Sequence, residues 1–424
     1  MMKKIASRLP ELPVDIYGLS AVRLVVSLGS FVGPFLAMML TEKLGYDKAG
    51  AGAFMSLVSL VSAAGLLLGG KLGDSFGRPR VLLSLQVATA VLLLLGAALG
   101  FSPLTPFVIA AAMGCLSGTW PIMNAIVADV APAAKRKESF ALMYWANNLG
   151  FSAGPALGGF LYDSMPRLLF VGNAVALFLA AAVVAVWVKG KPYQDASAAD
   201  GAAAAADTGG AAAGSDAGET TGDGHGNIWR ILAANPLLML YGLASVLTAF
   251  IYNQHTFALP VFLKELMGDA GGRSFGLVMT TNGLTVVVMT AFVTMLAKRM
   301  SNLGAIALSS AFYVVGFGSY WFATGMPLAL GVTVVWTLGE ILGATSGNAF
   351  VAEHAPPAFR SRINSAISLC YIAGNTLAPL AAGAIADRFG TRTVWPVTAA
   401  MAVVAVFAFV ALDRFDRRLA AGRA

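Results

Sequence analysis

Apolar residues along this chain gather into long runs separated by short polar stretches. A helix needs about 20 consecutive apolar residues to cross a bilayer core. Twelve runs are long enough: 16–40, 49–70, 81–101, 104–129, 139–162, 166–188, 237–262, 274–297, 302–323, 327–352, 361–385 and 392–412. The first lacks a small-residue cleavage site, so it reads as a retained span and not a signal peptide. Between the sixth and seventh runs the pattern disappears. Residues 191–230 are rich in Ala, Gly, Asp and Thr, with six acids from Asp195 to Asp223 and no base among them. Such a tract cannot bury apolar area and is expected to be a disordered linker. The predicted plan is an N-terminal six-helix bundle (1–190), a linker (191–230) and a C-terminal six-helix bundle (231–424).

The two sets of runs repeat each other. A shift of 224 residues carries Gly150, Pro155, Gly159 and Asp163 onto Gly374, Pro379, Gly383 and Asp387. The same shift carries Ala131-Pro132, Ala134 and Arg136 onto Ala355-Pro356, Ala358 and Arg360, and Tyr17-Gly18-Leu19 onto Tyr241-Gly242-Leu243. A constant register over distant blocks points to an internal duplication. Within the fifth run, Gly150, Gly154 and Gly158 are four apart and share one helix face. Small residues on one face let another backbone approach closely, which is how helices associate in lipid. Pro155 removes a backbone donor and is expected to bend the helix.

Composition agrees with the membrane reading. The chain of 424 residues is 58% apolar and 12% charged, with a mean hydropathy of +0.75; a soluble domain carries roughly 25% charged residues. The pI near 9.4 could suggest nucleic acid, but the placement of the bases explains it. Of the 28 Lys and Arg, twenty fall on the loops that include both termini and the linker, and seven on the opposite loops. Bases are retained on the cytoplasmic side, so both termini and the linker are expected there. No phosphate-binding loop of the Gly-x4-Gly-Lys-Ser/Thr type occurs, and the three histidines lack metal-ligand spacing. No cofactor, metal, nucleic-acid partner or enzymatic activity is expected.

The loop after the second run reads Gly69-Gly70-Lys71-Leu72-Gly73-Asp74-Ser75-Phe76-Gly77-Arg78-Pro79-Arg80. Gly77 can supply a tight turn. Asp74 can cap a helix or pair with a cation. Arg78 and Arg80 can lock the loop to acids at neighbouring helix ends, and Asp129 is the best placed. The bland alternative is that these bases only hold orientation. Here the chain resembles the major facilitator superfamily, whose signature between spans two and three is Gly-x-Leu-x-Asp-x-x-Gly-Arg-x-Arg. At the related positions of the second half Lys298 stands in place of the Asp, so the latch reads as intact only in the first half. Gly150, Gly154, Pro155, Gly158 and Gly159 meet every fixed position of Gly-x3-Gly-Pro-x2-Gly-Gly, which resembles the fifth-span motif of the twelve-span drug:proton antiporters in that superfamily. That family often carries an Arg inside span four. Here none occurs, and Arg23 in the first run is the only Arg at depth.

Ionisable groups inside a membrane are costly and usually functional. Glu340, near the middle of the tenth run, is the one acid far from either face. It is a candidate for proton or cation handling; the alternative is a structural pairing with Arg23 or a hydroxyl. Arg23 is the second candidate for coupling, though it can also snorkel to the cytoplasmic face. His255 lies near the outer end of the seventh run. Tyr144, Trp145, Asn147 and Asn148 in the fifth run, Asn253, Gln254 and His255 in the seventh, and Trp336 in the tenth are candidates for a cavity of aromatic and amide character. Each alone is more often packing or an interfacial anchor.

The resemblance implies two six-helix bundles related by a pseudo-twofold axis along the membrane normal, with substrate between them and alternating access by rocking. It implies a monomeric, proton-coupled exporter of small amphipathic or cationic compounds in a bacterial inner membrane. A symporter or uniporter for a polar solute is the runner-up, and a non-transporting sensor on the same fold is the reading from another class.

Overall fold

The computed structural model describes residues 12–189, 235–356 and 359–421. The 191–230 linker expected from composition lies outside the described residues. Every regular element among the described residues is helical. In chain order they are α1 (Val14–Leu28), α2 (Val32–Met38), α3 (Lys48–Phe76), α4 (Arg78–Leu99), α5 (Thr105–Val130), α6 (Arg136–Ser164), α7 (Arg167–Trp187), α8 (Pro236–Tyr252), α9 (Ala258–Met267), α10 (Gly271–Ala297), α11 (Asn302–Ser319), α12 (Met326–His354), α13 (Arg360–Phe389) and α14 (Val394–Ala421).

Ten stretches of the described residues are long and apolar enough to cross a membrane. One of them, Pro236–Ala297, contains two passes, α8–α9 and α10. The more polar α6 stands outside the ten but has 29 residues, ample for a crossing. Together these give twelve passes.

The first and seventh passes are not continuous helices, which corrects the unbroken runs 16–40 and 237–262. The first is interrupted at Gly29–Phe31, and a π turn, Met39–Lys43, extends it. The seventh is interrupted by a 3₁₀ turn, Asn253–His255, and continues to Met267. A shift of 224 carries residues 29–31 onto 253–255. Each break lies just ahead of a proline, Pro34 or Pro260. A helical proline cannot donate to the carbonyl four residues earlier and clashes with it. Those carbonyls belong to Ser30 and Thr256, so the chain unwinds there. The amide of Val32, freed by the first break, donates to Asn173 Oδ1 at 3.3 Å.

Helix packing repeats with the same period. In the first half α3 packs on α5, α4 on α5 and α7, and α1 on α6 and α7. In the second half α10 packs on α12, α11 on α12 and α14, and α8 on α13 and α14. Two seams join the halves, α6 with α10 and α3 with α13, and the 224 shift exchanges them. The correspondence reaches single atoms. A Cβ on Gly276 would collide with the carbonyl oxygen of Pro155, and a Cβ on Gly52 with that of Pro379. A Cβ on Gly159 would meet the carbonyl oxygen of Gly272, and one on Gly383 that of Lys48. Only glycine lets the backbones approach this closely.

The polar contacts between the halves gather on one membrane face. Lys264 pairs with Glu42 at 3.1 Å and Lys48 with Glu265 at 2.5 Å. Within the first half, Tyr162 donates to the same Glu42 at 2.7 Å. Asp163 accepts from the amides of Gly272 and Arg273, each at 2.9 Å. None of these pairs was anticipated from the sequence. Deeper in, Ser56 donates to the Thr376 carbonyl at 2.7 Å, and Gly283 abuts Ser152.

Candidate functional site

Past the seam, Tyr144 and Asn148 of α6 and Glu340 of α12 are half-buried. Glu340 is held within the second half. Tyr252, the last residue of α8 before the break, donates its hydroxyl to Oε1 at 2.8 Å. Asn282 of α10 donates to Oε2 at 2.7 Å and to Thr337 Oγ1 at 3.0 Å. Three passes thus converge on one carboxylate. His255 sits beside them in the break and not at the outer end of its pass. Its ring centroid lies 4.4 Å from that of Tyr252 and 5.9 Å from that of Trp336, and its Nδ1 lies 2.6 Å from the Tyr252 carbonyl. Tyr144 is within electrostatic range of Glu340 from the other half. The convergence of α8, α10 and α12 could have been found from the proline-interrupted run, since breaks at matching positions of two repeats point to a transport site.

Glu340 does not pair with Arg23. That guanidinium lies in the first half, with its Cζ 3.2 Å above the ring of Trp120 on α5. Trp120 was not among the sequence candidates.

The remaining cavity candidates divide. Asn147 accepts from Ser27 Oγ at 2.8 Å, and Asn148 donates to the Tyr144 carbonyl at 2.9 Å. Asn253 donates to the Asn375 carbonyl at 3.1 Å, bracing the break against α13. Gln254 is fully buried and donates to Phe250 O at 3.2 Å. Trp336 is also fully buried, stacked on Phe317 with centroids 5.4 Å apart. Neither Gln254 nor Trp336 lines open space; their size and polarity are spent inside the second half. Trp145 points the other way. It shares the exposed stripe of α6 with Leu149, Leu157 and Phe160, which is a lipid-facing pattern at helical spacing.

At the face opposite the seam, Gly77 forms the one-residue turn between α3 and α4 with φ of 92°. Arg78 donates to Asp74 Oδ1 at 3.0 Å and 3.2 Å and pairs with Asp129 at the end of α5. Arg80 is exposed and makes no polar contact among the described residues. Gly70 faces open space. The second half is less bare than its sequence suggests. Asn302 donates to Glu353 at 2.9 Å, and these are the 224-shifted positions of Arg78 and Asp129. A neutral amide there replaces the guanidinium.

The three-glycine face of α6 meets α1 and α2 of its own half. A Cβ on Gly150 would lie 2.6 Å from the Leu24 oxygen, one on Gly154 2.7 Å from the Leu28 oxygen, and one on Gly158 2.8 Å from the Phe35 ring. Of the motif, Gly159 and the Pro155 carbonyl touch the other half.

The model of the family described as the Major Facilitator Superfamily matches residues 19–379 and 269–423. The chain belongs to that superfamily. Among its relatives is a Na(+), Li(+), K(+)/H(+) antiporter of Planococcus maritimus, 26% identical over 420 residues, with 92% of this chain and 93% of the relative covered. Another is the multidrug resistance protein MdtG of Proteus mirabilis, 24% identical over 390 residues, with coverages of 88% and 89%. The fold is also that of the nucleoside transporter NupG, with a TM-score of 0.72, 16% identity, and 94% of this chain and 98% of the other covered. A bacterial homologue of the lysosomal transporter Spinster, solved in an inward-facing, unoccupied conformation, gives a TM-score of 0.70 at 16% identity, with coverages of 95% and 97%.

Proposed function

We propose that this chain is a proton-coupled antiporter that exports small cationic or amphipathic compounds by alternating access. The observation that carries this reading is Glu340. It is a half-buried carboxylate at mid-membrane, held by donors from two neighbouring passes. A single acid can hold a cation or a proton but not both. Competition for it is a minimal coupling device. A proton arriving from outside displaces the cation, and loss of that proton inside readies the site again. The names of two relatives, a monovalent-cation/proton antiporter and a multidrug resistance protein, support this class of chemistry.

The loops rich in Lys and Arg mark the cytoplasmic face of a bacterial-type inner membrane. On that orientation both termini are inside and the seam lies on the outer side. The domain plan is then two bundles, 1–190 and 231–424, tethered by 191–230. The Arg78–Asp129 pair acts as a latch that must be remade in each cycle.

The test is a set of everted vesicles with equal amounts of folded protein and an imposed pH gradient. Additions of Na⁺, Li⁺, K⁺ and a panel of organic cations are compared. At least one should collapse the gradient, and Glu340→Gln should abolish that response. Full coupling by the Gln protein would remove Glu340 from the mechanism.

A further inference from the structure

Arg23 takes no part in the Glu340 cluster, and its surroundings are unusual. The residue is only 5% exposed. Among the described residues it has no ion pair and no hydrogen bond; its contact is the face of Trp120. Stacking engages the plane of a guanidinium and leaves its edge, with five N–H donors, unspent. A buried charge without a partner is expensive, and a single cation–π contact offsets only part of that cost. The bilayer interior provides no counter-ion, and the one acid at comparable depth, Glu340, is already held by Tyr252 and Asn282.

The place of this cation is also informative. It lies between α1 and α5, whose counterparts under the 224 shift are α8 and α12, the helices that present Tyr252 and Glu340. Each half therefore carries one charge between corresponding passes, positive in the first and negative in the second. The polar face of α6 connects them. Tyr144 is in electrostatic range of Glu340, while Asn147, three residues on, binds Ser27, one turn from Arg23. Arg23 is nine residues from the Val14 end of α1 and Glu340 fourteen from the His354 end of α12. Those lengths are about 14 Å and 21 Å from the same face, an offset that a small molecule can bridge.

We infer that Arg23 and Trp120 form an anion subsite, and that the preferred substrates are amphoteric, with a carboxylate or similar oxyanion at Arg23 and a cationic group towards Glu340. This rests on the reading of Glu340 as a cation site. It gives the unspent donor edge of the guanidinium a bidentate partner, the geometry that an oxyanion fits best. It also makes the substrate touch both halves at once.

Binding to purified protein in detergent tests this with two probes, hexyltrimethylammonium and 6-trimethylammoniohexanoate, which share the ammonium and differ by the carboxylate. Wild type should bind the zwitterion at least ten-fold more tightly than the plain cation. Arg23→Gln should bring the two within about two-fold of each other, while Arg23→Lys, which keeps the charge, should retain part of the preference. A wild-type protein without preference for the zwitterion overturns the inference, with no variant needed. So does a preference that survives Arg23→Gln. If the plain cation binds and the preference is absent, the anion subsite fails alone; if neither probe binds, the Glu340 reading fails with it.

Discussion

Asp163, the penultimate residue of α6, caps the helix that begins at Gly271 by accepting a 2.9 Å hydrogen bond from the amide of Gly272. The cap is supplied in trans, from the other half. By contrast α3, the counterpart of α10, is capped by its own Asp47, which accepts from Gly50 at 2.6 Å. The first amides of α10 are thus satisfied only while the halves are closed at this face. Hydrogen bonds to a charged group contribute about 1.5–3 kcal/mol each. Asp163→Ala should therefore shift the population towards the opposite conformation by roughly ten-fold or more. Spin labels at Tyr46 and Asp269 would show this as a longer distance; an unchanged distribution rules the cap out as a gate.

The two arginines of the α3–α4 turn should differ sharply. Arg78 joins Asp74 and Asp129, whereas Arg80 is exposed and uncommitted. Arg78→Ala is expected to cut turnover by about ten-fold or more, the scale of one or two lost charge-assisted bonds, with insertion intact. Arg80→Ala should stay within about two-fold. Asn302→Ala, at the matching site of the second half, should fall between them, because a neutral donor contributes less. Equal rates for Arg78→Ala and wild type in vesicles of matched protein content would show the latch to be ornamental.

Steric tolerance at glycines gives a third check. Gly154→Leu pushes against the α1 backbone, which cannot yield as a side-chain tip can, and should abolish transport. Gly331 in α12 faces open space, and Gly331→Ala should be neutral or stabilising by up to about 1 kcal/mol through helix propensity. Thermal unfolding in detergent distinguishes the two; parity between them would contradict the close approach of α6 to α1.

At the carboxylate, position as well as charge should matter. Glu340→Asp keeps an acid but withdraws it from Tyr252 and Asn282, so partial activity is expected. Asn282→Leu leaves Oε2 without its donor and should lower gradient-driven transport by about ten-fold, the equivalent of one charge-assisted bond. Wild-type rates in Asn282→Leu vesicles would mean that the carboxylate needs no second donor.

Much of the architecture could be read from the chain. Uninterrupted apolar length marked most of the passes, and the 224-residue register announced the repeat. Local pattern failed where tertiary placement decides. Asn253-Gln254-His255 is a polar interruption of the seventh run, but polarity alone reads equally well as a cavity lining, so only Pro260 spoke for a break in the backbone. Trp145 and Trp336 are equally aromatic, yet one faces outward and the other is sealed inside, because helix phase and neighbouring bulk sort them. The spacing of Gly150, Gly154 and Gly158 predicted a close approach but not its partner, which proved to be α1 and α2 of the same half. The ion pairs Glu42–Lys264 and Lys48–Glu265 link residues more than 200 positions apart, beyond the reach of any short-range signal.

The exchange of the two seams under the 224 shift carries a consequence for descent. Written in half-chain terms, α6 against α10 and α3 against α13 are one contact, fifth pass on second pass, made twice. A free six-pass ancestor with these same surfaces would have paired with a second copy of itself about a twofold axis, each copy giving its fifth pass and receiving the other's. Gly52 and Gly276, placed against Pro379 and Pro155, are then one ancestral glycine, still serving both sides of a homodimer that fusion made permanent. Only after duplication could one copy acquire an arginine and the other a glutamate, a division of labour that identical subunits cannot have.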